Sequence, residues 1–361
     1  MKKTLIALAA LAATSAFAQS TVTLSGSINY GVGTAVTGIH SYGNWKGDRT
    51  GITIAAVEDL GGGLKVTAAA NMRFSSDTSE QSRSYVSTTS GTRGDNLFEQ
   101  SSIAIDSGMG QVRVGRFTNA VGVAPLHPFE DSGQSTAPHQ AANGRFSSQI
   151  QYMSPTVGGF QVFAFNAQKS GNIYHTANGA GYLAAWKLNS ANLATGLTDA
   201  TRHANASSVG INFRNGPVYA QYYTLTDLLG LKSSKLGASY DLGVAKLYAS
   251  QFTQNSNIGF STTAGPSGAG KKAHKATEIA VQVPMGAWMF SLGSYAANGD
   301  IQLDKTDGST KTSRTAWGAT YNFSKRTQAI YVASSTSKGS AATAAQMPTG
   351  KNQWLGLQHN F

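Results

Sequence analysis

Residues 21–30, Thr21-Val22-Thr23-Leu24-Ser25-Gly26-Ser27-Ile28-Asn29-Tyr30, alternate between two kinds of side chain. Val22, Leu24, Ile28 and Tyr30 share one parity, and Thr23, Ser25, Ser27 and Asn29 share the other. A period of two belongs to a β-strand, whose successive side chains point to opposite faces. The pattern returns in residues 64–74, where even positions are apolar and odd positions carry Lys65, Thr67, Asn71 and Arg73. One face of each segment is oily and the other is wet.

Strand candidates of this kind cover 21–33, 49–57, 64–74, 97–106, 111–117, 145–153, 160–168, 206–215, 217–226, 234–242, 245–253, 275–283, 288–296, 313–321, 327–334 and 352–361. The segment Gly181 to Asn189 also alternates and is read as an excursion of a long loop. Short, turn-rich joins such as Glu58-Asp59-Leu60-Gly61-Gly62-Gly63, Asn215-Gly216 and Asp241-Leu242-Gly243 alternate with long polar connections, around 34–48, 75–96, 118–144, 169–205, 227–233, 254–274, 297–312 and 335–351. Short turns at one end and long loops at the other describe an up-and-down barrel of about sixteen strands, each of roughly ten residues. In a barrel of that size the polar face lines a wet interior and the apolar face meets lipid. Trp45, Tyr152, Tyr182, Trp186, Tyr223, Tyr240, Trp288, Tyr321 and Trp354 lie near strand ends, where interfacial girdles form.

Composition agrees. The chain has 361 residues, 12% of them charged, with 41 Gly, no Cys and a formal net charge of +11. So few charges cannot cover long helical surfaces, and no cysteine means no disulfide framework, thiol catalysis or thiolate-held metal. Lys2 and Lys3, the apolar run Leu5 to Ala13 and Ala16-Phe17-Ala18 have the form of a secretory signal cleaved after Ala18. Residues 1–18 are thus expected to be removed, leaving a barrel domain over 19–361 that carries no helical membrane span.

The opening Thr-Val-Thr-Leu-Ser-Gly, Val57-Glu58-Asp59-Leu60-Gly61-Gly62-Gly63-Leu64-Lys65, Gly110-Gln111-Val112-Arg113-Val114-Gly115-Arg116-Phe117, Tyr152-Met153-Ser154-Pro155 and the closing His359-Asn360-Phe361 resemble the Gram-negative general porins, most of all the β-proteobacterial type. The resemblance covers nearly the whole mature chain. It implies an all-β transmembrane antiparallel barrel in the bacterial outer membrane, with short periplasmic turns and long extracellular loops. It also implies assembly as a homotrimer in contact with outer-membrane lipid and lipopolysaccharide. Phe361, ending a strand with Leu355, Leu357 and His359 on its parity, resembles the signal read by the barrel assembly machinery.

Porins of this kind are narrowed by a third loop that folds inward, which here would be residues 118–144. Family members often carry Pro-Glu-Phe-Gly-Gly there, whereas this chain reads Pro128-Phe129-Glu130-Asp131-Ser132-Gly133. Glu130 and Asp131 are the acidic candidates, and either could point into the lumen. Facing them, the resemblance implies a ladder of Arg49, Arg116 and Arg145. Parity supports two of these: Ile52 and Ile54 facing lipid put Arg49 inward, and Phe146, Ile150 and Tyr152 facing lipid put Arg145 inward. Arg116 shares parity with Val112 and Val114, so a bend at Gly115 is needed to bring it inside. Lys65, Arg73, Arg113 and Arg214 are further inward-parity candidates.

A cross-lumen field of this kind orders water and favours small polar solutes and ions, and rings of Arg and Lys favour anions. The expected function is therefore passive diffusion with mild anion preference, or little selectivity if the lysines sit mainly in outer loops. A solute-specific channel or an adhesin working through its loops are the alternatives. Cofactors and metals are not expected, nor is enzymatic activity. His40, His127, His139, His175, His203 and His274 fall in predicted loops, without a metal-binding helix pair or a nucleophile elbow. The export signal and the spread of charge oppose nucleic-acid binding.

Overall fold

The computed structural model describes residues 20–34, 40–43, 50–73, 98, 100–118, 120, 128–129, 145–168, 205–226, 232–255, 259–261, 265–267, 273–298, 311–338 and 350–361. Sixteen strands build one antiparallel wall: β1 Thr21–Thr34, β2 Gly51–Gly61, β3 Leu64–Arg73, β4 Gln100–Ser107, β5 Gly110–Thr118, β6 Arg145–Met153, β7 Phe160–Ala167, β8 Ala206–Asn215, β9 Val218–Thr226, β10 Lys232–Asp241, β11 Lys246–Asn255, β12 Ala273–Met285, β13 Trp288–Asn298, β14 Lys311–Asn322, β15 Thr327–Lys338 and β16 Gly350–Asn360. Each pairs with its sequence neighbours. The ring closes where β16 pairs with β1, from Ser27 opposite Asn360 to Thr34 opposite Gln353. A short strand, His40–Gly43, adds to the far end of β1, and Gly259–Ser261 pairs with Gly265–Ser267 in a separate hairpin.

Exposure is inverted relative to a water-soluble protein. Val22 is 70% and Leu24 63% exposed, and Ile54, Ile103, Ile150, Leu236, Ile279, Leu292 and Leu355 are also exposed, all on one parity of their strands. On the other parity Asn29, Gln149, Gln151, Gln221, Ser250, Arg314, Asn352 and Gln358 are buried. Such a continuous apolar outer surface is stable only against lipid. Phe129, from the connection between β5 and β6, rests against Ile330 and Val332 on the polar-residue side of the wall, so that side is the interior.

The turn-rich joins form the short-turn end as expected. Between β2 and β3, Asp59 Oδ1 accepts the Gly61 N–H at 3.0 Å, and Gly61, Gly62 and Gly63 all take positive φ, which glycine alone adopts without strain. Strand β2 consequently runs on through Glu58-Asp59-Leu60, and β15 continues to Lys338, because polar residues near the ends still pair. His40 and His274 lie on strands, not in loops.

Trp288, Phe290, Tyr321 and Phe323 cluster at the short-turn end, with ring centroids 5.8 Å (Trp288–Phe290), 4.8 Å (Trp288–Tyr321) and 5.0 Å (Tyr321–Phe323) apart. They form one stretch of the expected girdle. Tyr223 and Trp354 depart from it: both share the inner parity, Tyr223 with Gln221 and Leu225, and Trp354 with Asn352 and Gln358. Residues 1–18, the segment 181–189, Trp45, Tyr182 and Trp186 lie outside the described residues.

The seam is sealed at Gly26. Its N–H donates to the Phe361 carbonyl at 2.9 Å, and the Phe361 N–H donates to the Gly26 carbonyl at 3.0 Å. The Phe361 ring lies where a Cβ on residue 26 would sit, and the Gly51 carbonyl oxygen would be only 2.7 Å from that Cβ. A Gly26→Val variant is expected to lose about 1–3 kcal/mol from overpacking at the seam, seen as a lowered unfolding temperature of the detergent-folded barrel; an unchanged temperature contradicts the seal.

Candidate functional site

The interior surface is built by cross-strand rows of inward side chains. One row runs Asn212, Gln221, Gly237, Ser250, Glu278, Tyr295, Arg314 and Thr336, each paired with the next from β8 to β15. Glu278 is 2% exposed, accepts a hydrogen bond from Ser250 Oγ at 2.9 Å and lies 3.8 Å from Lys235 Nζ. Arg314, 6% exposed, follows across Tyr295. The Glu278 carboxylate is thus held by an ion pair and a hydrogen bond, as buried charge requires.

The connection between β5 and β6 meets the interior at two described places. At its root, the Ala120 N–H donates to Gln151 Oε1 at 2.7 Å, and Gln221 Nε2 donates to the Ala120 carbonyl at 3.3 Å and to Asn212 Oδ1 at 2.8 Å. Ala120 also packs with Phe146, Phe163, Phe165, Tyr223 and Leu225. Further along, Phe129 is 3% exposed and packs with Ala316, Ile330, Val332 and Trp354, on strands across the ring from β5. Nine residue steps separate the two anchors, a reach of at most about 30 Å. The two described anchors, Ala120 and Phe129, thus rest on two apolar plates set into a mostly polar wall.

By sequence parity Phe163 and Phe165 are ambiguous, and the structure places both inward, buried in the first plate. The signal of both plates is present in the sequence: Phe160-Gln161-Val162-Phe163-Ala164-Phe165 and Ala329-Ile330-Tyr331-Val332-Ala333 are apolar at both parities, the mark of a strand covered on both faces. Arg314 and the Lys235–Glu278 pair were missed, because a single charge in a Ser/Thr-rich strand carries no pattern of its own.

The expected basic residues are distributed unevenly. Arg113 is on the inner parity, with Nε donating to Ser102 Oγ at 3.0 Å and its guanidinium carbon 4.2 Å from the Phe117 ring centroid. Arg214, also inward by parity, stands 5.0 Å from the Tyr219 ring near the short-turn end. Lys65 Nζ lies 3.9 Å from Asp59 Oδ2 at that same end, where both are well exposed. Arg73 pairs by backbone with Gly51 and Arg145 with Thr118, and their side chains lie outside the described residues. So do Arg49, Glu130 and Asp131.

Arg116 sits at an irregularity. From Gly115 to Phe117 strand β5 advances two residues while β6 advances three, from Gln149 to Phe146. The extra residue falls on the β6 side, where Ser148 has φ 51°, and Gly115 opposite has φ 126°. A bulge therefore lies beside the predicted bend. Arg116 stays opposite Ser101, whose parity is that of the exposed Ile103 and Ile105, and its Nη1 donates to Ser147 Oγ at 3.1 Å. The bulge turns Phe146 away from lipid: it is buried, pairs with Phe117 and lies 6.0 Å from the Phe165 ring. Phe146 thus cannot serve as the outward reference from which Arg145 was placed.

Comparison with known proteins gives a consistent result. A sequence profile of the family described as Gram-negative porin matches residues 4–342. The major outer membrane protein P.IB of Neisseria lactamica is 29% identical over 398 aligned positions, covering 100% of both chains. Among solved structures, an anion-selective porin from Comamonas acidovorans superposes with a TM-score of 0.69 at 19% identity, over 95% of this chain and 100% of that one. The trimer form of OmpT from Vibrio cholerae superposes with a TM-score of 0.63 at 10% identity, over 95% of this chain and 99% of that one.

The buried pair yields a stability test. Lys235→Met leaves the Glu278 carboxylate without its cation and is expected to cost about 3 kcal/mol, whereas Glu278→Gln keeps an acceptor for Ser250 and costs less. Thermal unfolding in detergent measures both, and equal effects contradict the pairing.

Proposed function

Because the chain belongs to the Gram-negative porin family, we propose that its outer-membrane channel passes small hydrophilic solutes and ions by diffusion with a mild preference for anions. The observation that carries this reading is the charge on the inner wall. Among the described residues Lys65, Arg113, Arg214, Lys235, Lys246 and Arg314 share the inner parity with Asp59, Asp106, Asp241 and Glu278, which leaves an excess of basic groups, and Asp59 and Glu278 each face a lysine. The formal net charge of +11 acts in the same direction, and the neighbour from Comamonas acidovorans is described as anion-selective. Basic rings raise local anion concentration and lower the barrier for anions relative to cations.

In this reading Arg49 joins Arg113 and Arg314 on the basic side, Arg145, next to the inward Phe146, falls on the outer parity, and Glu130 or Asp131 supplies the acidic side from the connection between β5 and β6. Water between them is oriented across the lumen, so polar solutes align their dipoles as they pass and apolar solutes are retarded. Arg116, bonded to Ser147 at the bulge, holds the β5–β6 register. Residues 1–18 direct export and are removed, and the mature chain from Gln19 assembles as a homotrimer, as the trimer form of the Vibrio cholerae neighbour does.

The test is the reversal potential of the purified protein in a planar bilayer under a KCl gradient. Wild type should favour chloride, and Arg113→Gln should lower the chloride-to-potassium permeability ratio by about twofold. The preference should also weaken as salt rises from about 0.1 M to about 1 M, because the Debye length shrinks from about 10 Å to about 3 Å. A cation-favouring wild type contradicts the reading.

A further inference from the structure

We propose that the outer face of β9–β16 carries a docking groove for one anionic membrane lipid, whose acyl chain lies over Ala238 and Ala249 and whose headgroup meets Lys351. The groove belongs to the lipid side of the wall and is independent of what the channel passes. It is built by register. One cross-strand row starts at Ala220 on β9, passes Ala238 and Ala249 by direct pairing, and reaches Ile279 on β12. The same row continues through Ser294, Thr315 and Ser335 and ends at Lys351 on β16. All of it is on the outer parity. Its chemistry changes along its length, from methyl groups to hydroxyls to an ammonium.

The apolar part of the row is recessed. On its short-turn side stand Tyr240, Leu247, Val281 and Leu292, paired in that order, and on its other side Tyr222 and Leu236. Between these larger side chains the alanines leave a groove of about 670 Å³ that extends to Ser294 and Thr315. A flexible hydrocarbon chain fills such a recess and gains dispersion contact along its floor and walls.

The row also climbs through the membrane. Ala220 is the third residue of β9 from the short-turn end, whereas Lys351 lies nine residues before Asn360 at the end of β16. With a rise of about 3.4 Å per residue and a strand tilt of about 40°, Lys351 stands roughly 18 Å nearer the long-loop side. One leaflet of hydrocarbon is about 15 Å deep. A lipid of the long-loop leaflet with its headgroup at Lys351 therefore lays its chain down the row and into the recess. Ser294, Thr315 and Ser335 are exposed on the way. Hydroxyls facing lipid require acceptors, and the ester or amide carbonyls at the head of an acyl chain provide them. Charge selects the headgroup. Among the described residues the outer parity of β9–β16 carries lysines, including Lys232, Lys275 and Lys351, and no Asp or Glu, so an anionic headgroup is favoured on this face.

Full-length protein in phosphatidylcholine vesicles, probed with phosphatidylglycerol that carries a diazirine on its acyl chain, tests this when labelled residues are mapped by mass spectrometry. Label should concentrate at Ala238, Ala249 and Ile279 and fall when unlabelled phosphatidylglycerol competes. Ala249→Phe fills the recess from an exposed position without touching the backbone ladder, and should abolish the concentrated label. Lys351→Gln should lower the preference for phosphatidylglycerol over a phosphatidylcholine probe by about fivefold. Ala68→Phe, exposed on the outer parity of β3, should change neither. Label spread evenly around the barrel, or unaffected by Ala249→Phe, overturns the groove. A recess that stays unlabelled while the rest of the outer face reacts overturns it as well, because a second copy of the chain then covers it.

Discussion

A strand in hydrocarbon must have every backbone N–H and C=O paired, because no water is present to satisfy an edge. The meeting of β16 with β1 meets that requirement. Register from Ser27 opposite Asn360 to Thr34 opposite Gln353, together with the reciprocal Gly26–Phe361 bonds, joins the last residue of the chain to its first strand. Everything else follows from the closed ring. Closure gives each strand an outside and an inside, and the period of two then sorts the sequence into a lipid surface and a lumen wall.

The wall is not uniform, and its exceptions are what shape the lumen. Polar residues line most of it, yet apolar plates around Phe163, Phe165, Tyr223 and Leu225 and around Ala316, Ile330 and Val332 receive Ala120 and Phe129 from the connection between β5 and β6. Charge and apolar contact thus occupy different parts of the wall: Arg113, Arg214, Arg314, Lys65 and Lys235 stand on the inner parity of its polar stretches, and Phe129 rests on the plate of Ala316, Ile330 and Val332.

Much of this was legible in the sequence wherever one parity alone was apolar. Strands such as Thr21–Thr34 and Gly350–Asn360 announce both their existence and their orientation, and the glycine-rich turn after Asp59 marks the short-turn end. Legibility failed where parity is broken or ambiguous. Phe146 reads as outward by counting from Ile150, but one extra residue at Ser147-Ser148 reverses it, and no local composition signals a bulge built from two serines. Tyr223 and Trp354 read as girdle aromatics because they lie near strand ends. Their inward parity, and in Trp354 a contact with a residue more than two hundred positions away in sequence, placed them inside. The aromatic position in Pro128-Phe129 was visible as a departure from the family's usual order, but its landing site on β14 and β15 depends on the closed ring and not on any local pattern.

The central claim is that alternate residues of one continuous strand face lipid and water. The chain has no cysteine, so single cysteines placed one at a time at Leu236, Gly237, Ala238, Ser239 and Tyr240 on β10 give a direct reading in liposomes. Fluorophores attached at 236, 238 and 240 should be quenched by nitroxide-bearing lipids, and those at 237 and 239 by a water-soluble quencher entering the lumen. Equal quenching from water at both parities would contradict a lipid-facing outer surface and, with it, the whole arrangement.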